Sequence, residues 1–243
     1  HDAILLTNGN FAALGTEQQT INVPVLGGDA LLRGDTIVEL DENNDVQWKW
    51  SAFDHLDTQS FPGQLAKKKN NKKGDHDCTH ANALQLIDNG DALIMSLRHQ
   101  QEVLKINRTT GEVIWRLGAF GDFELTSGEW FYAQHAPELY EDGRIFIYDN
   151  GNERPNSPPN YTRGVMYQLD FDAMTATQVW SYTVFPASAS DHASSGHEQD
   201  YSNDFETADS FGNDDAEVEA LKDETIAGAG LDVYDKEPLP QDH

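Results

Sequence analysis

The chain has 243 residues, of which 38% are hydrophobic and 24% are charged, and its formal net charge is −26 at pH 7. This acidity argues against nucleic acid as a partner, because binding to phosphates requires a basic surface. The sequence contains neither a run of about 18 apolar residues nor a signal-peptide pattern, so we expect no membrane span and assign no compartment.

Two units each occur three times along the chain. The first is a histidine, a short apolar strand and a turn that ends in Asn-Gly or Asp-Gly. Its copies run from His1 to Gly9, from His80 to Gly90 and from His135 to Gly143. The second unit is an aliphatic strand, a polar turn and a strand that holds a tryptophan. Its copies run from Ile37 to Trp48, from Val103 to Trp115 and from Met166 to Trp180.

Together these two units predict four strands per repeat, which is typical of a β-propeller blade. We therefore predict an all-β fold of propeller blades over residues 1–186. Within the first repeat, Gly27-Gly28-Asp29 and Arg33-Gly34-Asp35 have the composition of turns. Equivalent positions of successive blades face one axis, so the three repeated histidines are predicted to converge on a central pocket.

The stretch from Asp77 to Gln100 contains the strongest hairpin pattern. Apolar residues at 83, 84, 86 and 87 and at 92–95 flank the turn sequence Asp88-Asn89-Gly90. Two such runs around a short turn of this composition predict a β-hairpin.

This hairpin would bring four polar side chains together. His80 and Asn82 stand at the start of its first strand, and Arg98 and His99 stand at the end of the second. An antiparallel pair places these two ends side by side. We interpret them as a site; the alternative is that His80 is an ordinary hydrogen-bonded histidine and Arg98 a surface cation.

The strand pattern ends after Pro186. Residues 187–243 hold 16 acidic residues against two lysines, a composition typical of an irregular linker or tail. Within them, residues 229–233 and 237–240 (AGLDV and EPLP) resemble a short segment of the D-2-hydroxyacid dehydrogenases. Because the chain has no G-x-G-x-x-G loop, we predict a foreign tail and no dinucleotide cofactor.

Several motifs within residues 1–185 resemble the bacterial arylsulfate sulfotransferases. They are HD-x-x-LL-x-NGN at the amino terminus, THANA at 79–83, SLRHQ at 96–100, TGEVIWRLG at 110–118, QHAPE at 134–138, DNGN at 149–152 and the region 161–163. The resemblance implies a six-bladed propeller, of which this chain would form three or four blades. The sequence departs from the family at Cys78, where we expect an aromatic residue, in the missing final blades and in the tail.

The resemblance implies transfer of a sulfuryl group from an aryl sulfate to a phenol, without a nucleotide donor, a cofactor or a metal. It makes His135 the nucleophile and places His80, Asn82 and Arg98 around the sulfuryl oxygens. His1 matches either a further active-site histidine of the family or its neighbour. The residues assigned to catalysis are His135, His80, Arg98 and His1, and those assigned to substrate binding are Asn82, His99 and Arg163. A periplasmic or secreted location is also implied.

Elementary chemistry agrees with these roles. A neutral imidazole is a competent nucleophile near pH 7, and a covalent intermediate divides the transfer into two easier steps with ping-pong kinetics. The planar fork of Arg98 and the amide of Asn82 suit the sulfuryl oxygens. A second histidine can protonate the leaving phenolate and later deprotonate the acceptor.

Three other interpretations stay open. A truncated propeller would be a binding module without catalysis. Three converging histidines can also hold zinc with an open fourth position, as in a metal-dependent hydrolase, although Arg98 would be unfavourable beside a dication. Finally, Cys78 beside His80 suggests a thiol nucleophile, but cysteine is also a common small buried residue.

Overall fold

The computed structural model describes residues 2–57, 74–152, 154–155 and 161–183. Within these residues helix is limited to α1 (Ala52–His55) and two single 3-10 turns, Pro24–Leu26 and Asp88–Gly90. The predicted all-β class is confirmed. No helix in this part of the chain is long and apolar enough to cross a membrane. His1 and the predicted tail from residue 187 lie outside the described residues.

The first sheet is built on a long hairpin. Its strands are β1 (Ala3–Leu5), β2 (Phe11–Val23), β3 (Gly28–Leu40), β4 (Val46–Ser51) and β5 (His76–Asp77). The strands β1 to β4 pair in sequence order, each antiparallel to the next. In contrast, β5 pairs in parallel with β3, which brings Asp77 opposite Arg33.

The turn predicted at Arg33-Gly34-Asp35 is wrong, because these residues lie inside β3. Gly34 is needed for close packing and not for a turn. A Cβ atom on Gly34 would lie 3.0 Å from the ring of Phe53, so a larger residue would push this ring away. A glycine inside a strand often marks such a close approach.

The second sheet is a four-stranded antiparallel meander. Its strands are β6 (Ala81–Ile87), β7 (Ala92–Leu97), β8 (Glu102–Asn107) and β9 (Val113–Gly118). All six residues of β7 are buried. Leu93 and Met95 pack into a core cluster shared with the first sheet, whereas Ile94 packs into a cluster shared with the third. The second sheet therefore has both faces covered, which explains the continuous apolar run ALIMSL.

The third sheet is a second meander with one added edge strand. Its strands are β10 (Glu124–Ser127), β11 (His135–Leu139), β12 (Arg144–Asp149), β13 (Arg163–Asp170) and β14 (Thr175–Thr183). The strands β11 to β14 are antiparallel in sequence order, and β10 pairs in parallel with β14. Each tryptophan of the predicted repeat, Trp48, Trp115 and Trp180, lies in the last strand of its meander.

Side-chain hydrogen bonds join the sheets at defined positions. The indole of Trp50 in the first sheet donates to the carbonyl of Gly111 in the second, at 2.9 Å. Between the second and third sheets, the amide of Gln85 donates to the carbonyl of Leu139 at 3.0 Å and accepts from its backbone N–H at 2.8 Å. These contacts hold β11, which begins at His135, against β6.

Candidate active site

The open end of the β6–β7 hairpin brings His80, Arg98 and His99 together, as the sequence predicts. The backbone N–H of Arg98 donates to the carbonyl of His80, and that of His99 donates to the carbonyl of Thr79, both at 3.1 Å. The side chains of Arg98 and His99 are buried. The cationic side chain of Arg98 therefore belongs to the interior of the site, which excludes the alternative of a surface cation.

Gln134 attaches the third histidine, His135, to this hairpin. The side-chain amide of Gln134 donates to the carbonyls of Leu97, at 3.1 Å, and Glu102, at 2.9 Å. The backbone carbonyl of Gln134 accepts from the side-chain amide of Asn82 at 2.8 Å. His135 is the next residue along the chain, so these three bonds place it beside the ends of β6 and β7.

Both histidine positions have unusual backbone geometry. His80 has a φ of 52°, and Ala133 and Ala136, which flank His135, have φ values of 52° and 44°. Positive φ is uncommon for residues other than glycine, and it persists where the surrounding structure fixes it. The chain therefore accepts backbone strain at the two places where it presents a histidine to the site.

Asp35 fixes the strained segment around His80. Its carboxylate accepts from the hydroxyl of Thr79 and from the backbone N–H of Ala81, the latter at 2.7 Å. The Thr79 hydroxyl in turn accepts from the backbone N–H of Asp35 at 2.9 Å. Burial raises the pKa of Asp35 against these hydrogen bonds. The residues on both sides of His80 are thus bound to one buried carboxyl group of the first sheet.

The Nδ1 atom of each described site histidine faces an oxygen acceptor. Nδ1 of His80 lies 2.8 Å from the carboxylate of Asp77, and Nδ1 of His99 lies 2.9 Å from the backbone carbonyl of the same Asp77. Nδ1 of His135 lies 2.7 Å from the side-chain oxygen of Asn150. Because these oxygens accept, Nδ1 carries the proton in each ring, and Nε2 holds the lone pair when the ring is neutral.

Two of these histidines are neutral at ordinary pH. Burial lowers the pKa of His135 to about 4, assisted by the positive charges of Arg98 and His80 and opposed by the hydrogen bond to Asn150. Burial also lowers the pKa of His99 to about 3, again assisted by His80 and Arg98. Arg98 and His80 therefore lie close enough to affect the pKa of both rings.

Asp77 supplies the negative charge next to this site. Burial alone would raise the pKa of Asp77, but the hydrogen bond from His80 and the charges of His99, His80 and Arg33 outweigh it and hold the pKa below its usual value. Arg33 donates to the carboxylate at 3.0 Å. The sequence analysis did not identify Asp77 or Asn150 as site residues.

The structure also forms a potential metal-binding cluster. Asp77, His80 and His99 each offer one ligand atom, and these atoms lie within 4.8 Å of one another. Two histidines and one carboxylate suit a transition metal. The cluster differs from the predicted set of His1, His80 and His135.

Arg163 lies in a buried ion-pair network next to the site. It donates to the carboxylate of Asp149 at 2.8 Å and to the carbonyls of Glu129 and Trp130 at 3.0 and 3.2 Å. The same carboxylate accepts from Arg154 at 2.5 Å. These contacts support the turn that carries Asn150, and substrate binding by Arg163 stays a prediction.

Cys78 is a buried thiol and lacks the features of a nucleophile. Its Sγ donates to the carbonyl of Arg33 at 3.0 Å. Burial, together with the charges of Asp77 and Asp35, raises its pKa to about 12. A thiol that stays protonated is a weak nucleophile, so the thiol alternative loses its basis.

The neighbour of His1 has a defined position. The carboxylate of Asp2 accepts from the backbone N–H of Leu84 in β6 at 2.8 Å. Asp2, which precedes β1, thus lies against the strand that follows His80.

The sequence model of one family, described as arylsulfotransferase (ASST), matches residues 1–204. The comparison with curated proteins gave no match. A crystal structure of a protein of unknown function from Bacteroides caccae is 14% identical, with a TM-score of 0.35, over 74% of this chain and 65% of that one. The chain thus spans less than two thirds of that protein's length.

Proposed function

Because the chain belongs to the arylsulfotransferase family, we propose that it transfers a sulfuryl group from an aryl sulfate to a phenolic acceptor through a sulfohistidine on His135. This proposal rests on the protonation state of the His135 ring. Burial lowers the pKa of His135 to about 4, and Asn150 holds the Nδ1 proton. Nε2 therefore offers a lone pair to an electrophilic sulfur at neutral pH.

The charges around this nucleophile suit an anionic substrate. Arg98 is 4% exposed, and its positive charge lowers the pKa of both His135 and His99. A sulfuryl group carries negative charge on its oxygens, and this charge is stabilised by preorganised donors in a site with little water. We assign Arg98 to bind these oxygens.

Asn82 takes a double role in this proposal. One hydrogen of its amide bonds to the carbonyl of Gln134, which fixes the backbone before His135. Among the described residues no second acceptor contacts this amide, and we assign its other hydrogen to a sulfuryl oxygen. Asn82 thereby couples the position of the nucleophile to that of the bound group.

The reaction then proceeds in two balanced steps. Nε2 of His135 bonds to sulfur while the bond from sulfur to the aryl oxygen breaks, and the leaving oxygen takes a proton from His80. In the second step the acceptor phenol returns a proton to His80, its oxygen bonds to sulfur, and the bond from sulfur to His135 breaks. This cycle restores both histidines and needs no further reactant.

We also propose that the three sheets are blades of a β-propeller. Of the three repeated histidines the structure describes two, His80 and His135, and each stands at the first strand of a four-stranded meander. These are the equivalent positions that the sequence repeat predicts. A propeller of the size that the family resemblance implies would need blades beyond the three described sheets.

A metal-dependent hydrolase is the second candidate function. The cluster of Asp77, His80 and His99 favours it, as do the hydrogen bonds that hold Nδ1 of both histidines, since metal-binding histidines usually have such partners. Against it stand the positive charges of Arg33 and Arg98 beside the same groups. We therefore place sulfuryl transfer first.

The test is intact-mass measurement after mixing the protein with para-nitrophenyl sulfate in the absence of an acceptor. A sulfuryl adduct adds about 80 Da for the covalent intermediate. We expect this adduct on the unsubstituted protein and on His55→Ala, whose ring stacks on Trp50 away from the cluster, but not on His135→Ala. An adduct that persists on His135→Ala would place the nucleophile elsewhere. Turnover without an adduct that is abolished by a chelator would support the metal-dependent reaction instead.

A further inference from the structure

We propose that Asp77 is a positioning residue that makes His80 the general acid and base of the sulfuryl transfer. This inference rests on the proposed function for its chemistry, whereas its geometry stands on the contacts of Asp77 alone. Neither the repeated units nor the resemblance to a family points to this residue.

Asp77 reaches the site from a different sheet than the histidine it contacts. It belongs to β5, which pairs in parallel with β3, so that Asp77 lies opposite Arg33. Arg33 donates to the carboxylate of Asp77 at 3.0 Å, and the carboxylate is 14% exposed. The first sheet therefore fixes a nearly buried anion at the end of the β6–β7 hairpin.

One residue orients two rings in this arrangement. The carboxylate of Asp77 accepts from Nδ1 of His80 at 2.8 Å, and its backbone carbonyl accepts from Nδ1 of His99 at 2.9 Å. The two rings lie against each other, with centroids 4.5 Å apart and planes tilted by 42°. Because Nδ1 of His80 is held at one side of its ring, Nε2 at the other side is the atom that can exchange a proton with substrate.

The same carboxylate also contacts the ring that would carry the transferred proton. During the cycle His80 gives a proton to the leaving aryl oxygen and regains one from the acceptor phenol, so it alternates between imidazolium and imidazole. When the ring is an imidazolium, its Nδ1 makes a charge-assisted hydrogen bond to the ionised carboxylate 2.8 Å away. Arg33 binds the same oxygen as His80, which keeps the carboxylate in one orientation.

Asp75 provides a matched control for a purely structural role. It is a fully buried carboxylate two residues before Asp77, and it also pairs with Arg33, at 3.6 Å. Its carboxylate accepts a hydrogen bond from the side-chain amide of Gln18 at 2.6 Å. In the described part of the chain, no contact of Asp75 with His80 or His99 is found. Asp75→Asn thus disturbs the same arginine without touching the histidines.

Two substitutions separate orientation from charge. In Asp77→Asn the amide oxygen can still accept from Nδ1 of His80, so the ring keeps its tautomer but loses the ionised partner. In Asp77→Ala the acceptor is absent and the ring is released. We expect nuclear magnetic resonance of nitrogen-labelled histidine to show the Nδ1-protonated form of His80 in the unsubstituted protein, Asp77→Asn and Asp75→Asn, and a mixture in Asp77→Ala.

The kinetic readout is the dependence of kcat on the leaving phenol. Asp77→Asn is expected to lower kcat on the order of 10-fold, the difference between a charged and a neutral hydrogen bond. Asp77→Ala is expected to lower it by about 100- to 10,000-fold, the contribution of a general acid. Both losses should grow as the leaving phenol becomes more basic, with KM for the donor little changed. Asp75→Asn should leave this dependence unaltered.

The inference is overturned if Asp77→Asn and Asp75→Asn lower kcat equally, or if the leaving-group dependence of Asp77→Asn matches that of the unsubstituted protein. It is also overturned if the labelled His80 has no Nδ1-protonated form, or keeps that form in Asp77→Ala. The resonance experiment needs no turnover. If no aryl sulfate reacts, the proposed function fails, while the orientation of His80 by Asp77 is still decided.

Discussion

Nδ1 of His135 lies 2.7 Å from the side-chain oxygen of Asn150, so Asn150 determines which ring nitrogen of the proposed nucleophile holds the lone pair. Asn150 is 6% exposed, and the hydroxyl of Thr162 donates to the backbone carbonyl of Asn150 at 3.1 Å. The hydrogen bond from His135 also raises the pKa of this ring against the effect of burial. A change at Asn150 therefore alters both the orientation and the basicity of His135.

The first prediction concerns Asn150→Asp. A carboxylate at this position accepts from the same Nδ1 but adds a negative charge, which favours the imidazolium and raises the pKa of His135 above about 4. The acid limb of adduct formation should therefore move to higher pH. Rapid-mixing mass measurement of the adduct across a pH series checks this shift. Asn152→Asp adds the same charge two residues along, and an equal shift there would contradict the specific role of Asn150.

The second prediction separates Arg163 from Arg98. Arg163 donates to buried Asp149, so Arg163→Leu should lower the free energy of unfolding by about 1.5 to 3 kcal/mol, the range for a hydrogen bond to a charged group. The KM for the aryl sulfate should stay unchanged. In contrast, Arg98→Leu should lower kcat by about 100- to 1,000-fold, as expected for one lost oxyanion donor. Urea unfolding and steady-state kinetics on both variants measure these effects.

The opposite pattern would support the predicted role of Arg163 in substrate binding. If Arg163→Leu raises KM for the donor and leaves the free energy of unfolding unchanged, this residue binds substrate. Asp149→Asn offers an independent check, because it removes the partner of both Arg154 and Arg163. We expect it to cost about 3 to 5 kcal/mol, the usual loss when a buried ion pair is broken.

Local patterns predicted the parts of the site that depend on neighbours in sequence. The Asp88-Asn89-Gly90 turn between two apolar runs predicted the hairpin, and antiparallel pairing then brought His80 and Arg98 together. A signal for Asn150 was present as well. The turn at Asp142-Gly143 pairs His135 with Tyr148, and Asn150 follows only two residues later.

Asp77 could not be predicted in the same way, although it stands three residues before His80. Its position depends on the parallel pairing of β5 with β3, which joins residues 44 positions apart. A two-residue strand has no periodicity to detect. The length of β2 and β3 was missed for a related reason, because Gly34 within β3 suggested a turn when its absent side chain in fact makes room for Phe53.

The third prediction concerns Cys78. Its thiol is 2% exposed and its pKa is raised to about 12 from an ordinary 9.0, so its thiolate fraction near neutral pH falls roughly 1,000-fold. Iodoacetamide should therefore modify the folded protein far more slowly than the urea-unfolded protein. Cys78→Ser should still form the sulfuryl adduct. Rapid alkylation of the folded chain, or loss of the adduct in Cys78→Ser, would instead support Cys78 as a nucleophile.

The last prediction follows from two histidines that are buried in the neutral form. Burial lowers the pKa of His135 to about 4 and that of His99 to about 3. In the unfolded chain both rings have a pKa near 6.5 and bind a proton below it, while the folded protein does not. The free energy of unfolding therefore falls as pH drops below about 6.5, by at most about 1.4 kcal/mol per pH unit for each histidine.

Carboxyl groups complicate the total, because burial raises the pKa of Asp35 and Glu102 and so favours the folded state as the pH falls toward their titration range. The difference in the free energy of unfolding between the unsubstituted protein and a histidine variant removes this contribution, because the carboxyl groups are the same in both proteins. Between about pH 7 and about pH 5, the stability advantage of the unsubstituted protein over His99→Gln should shrink by at most about 2 kcal/mol, since the variant binds no proton at this position when it unfolds. His135→Gln should behave alike, because a folded pKa of about 4 also leaves this ring neutral at pH 5. Urea unfolding of each variant at both pH values measures the difference, with Thr162→Val, which alters no titrating group, as the control. If the difference in the free energy of unfolding between the unsubstituted protein and each histidine variant stays constant with pH, both rings take up protons in the folded protein. His135 would then not be a neutral nucleophile at pH 5.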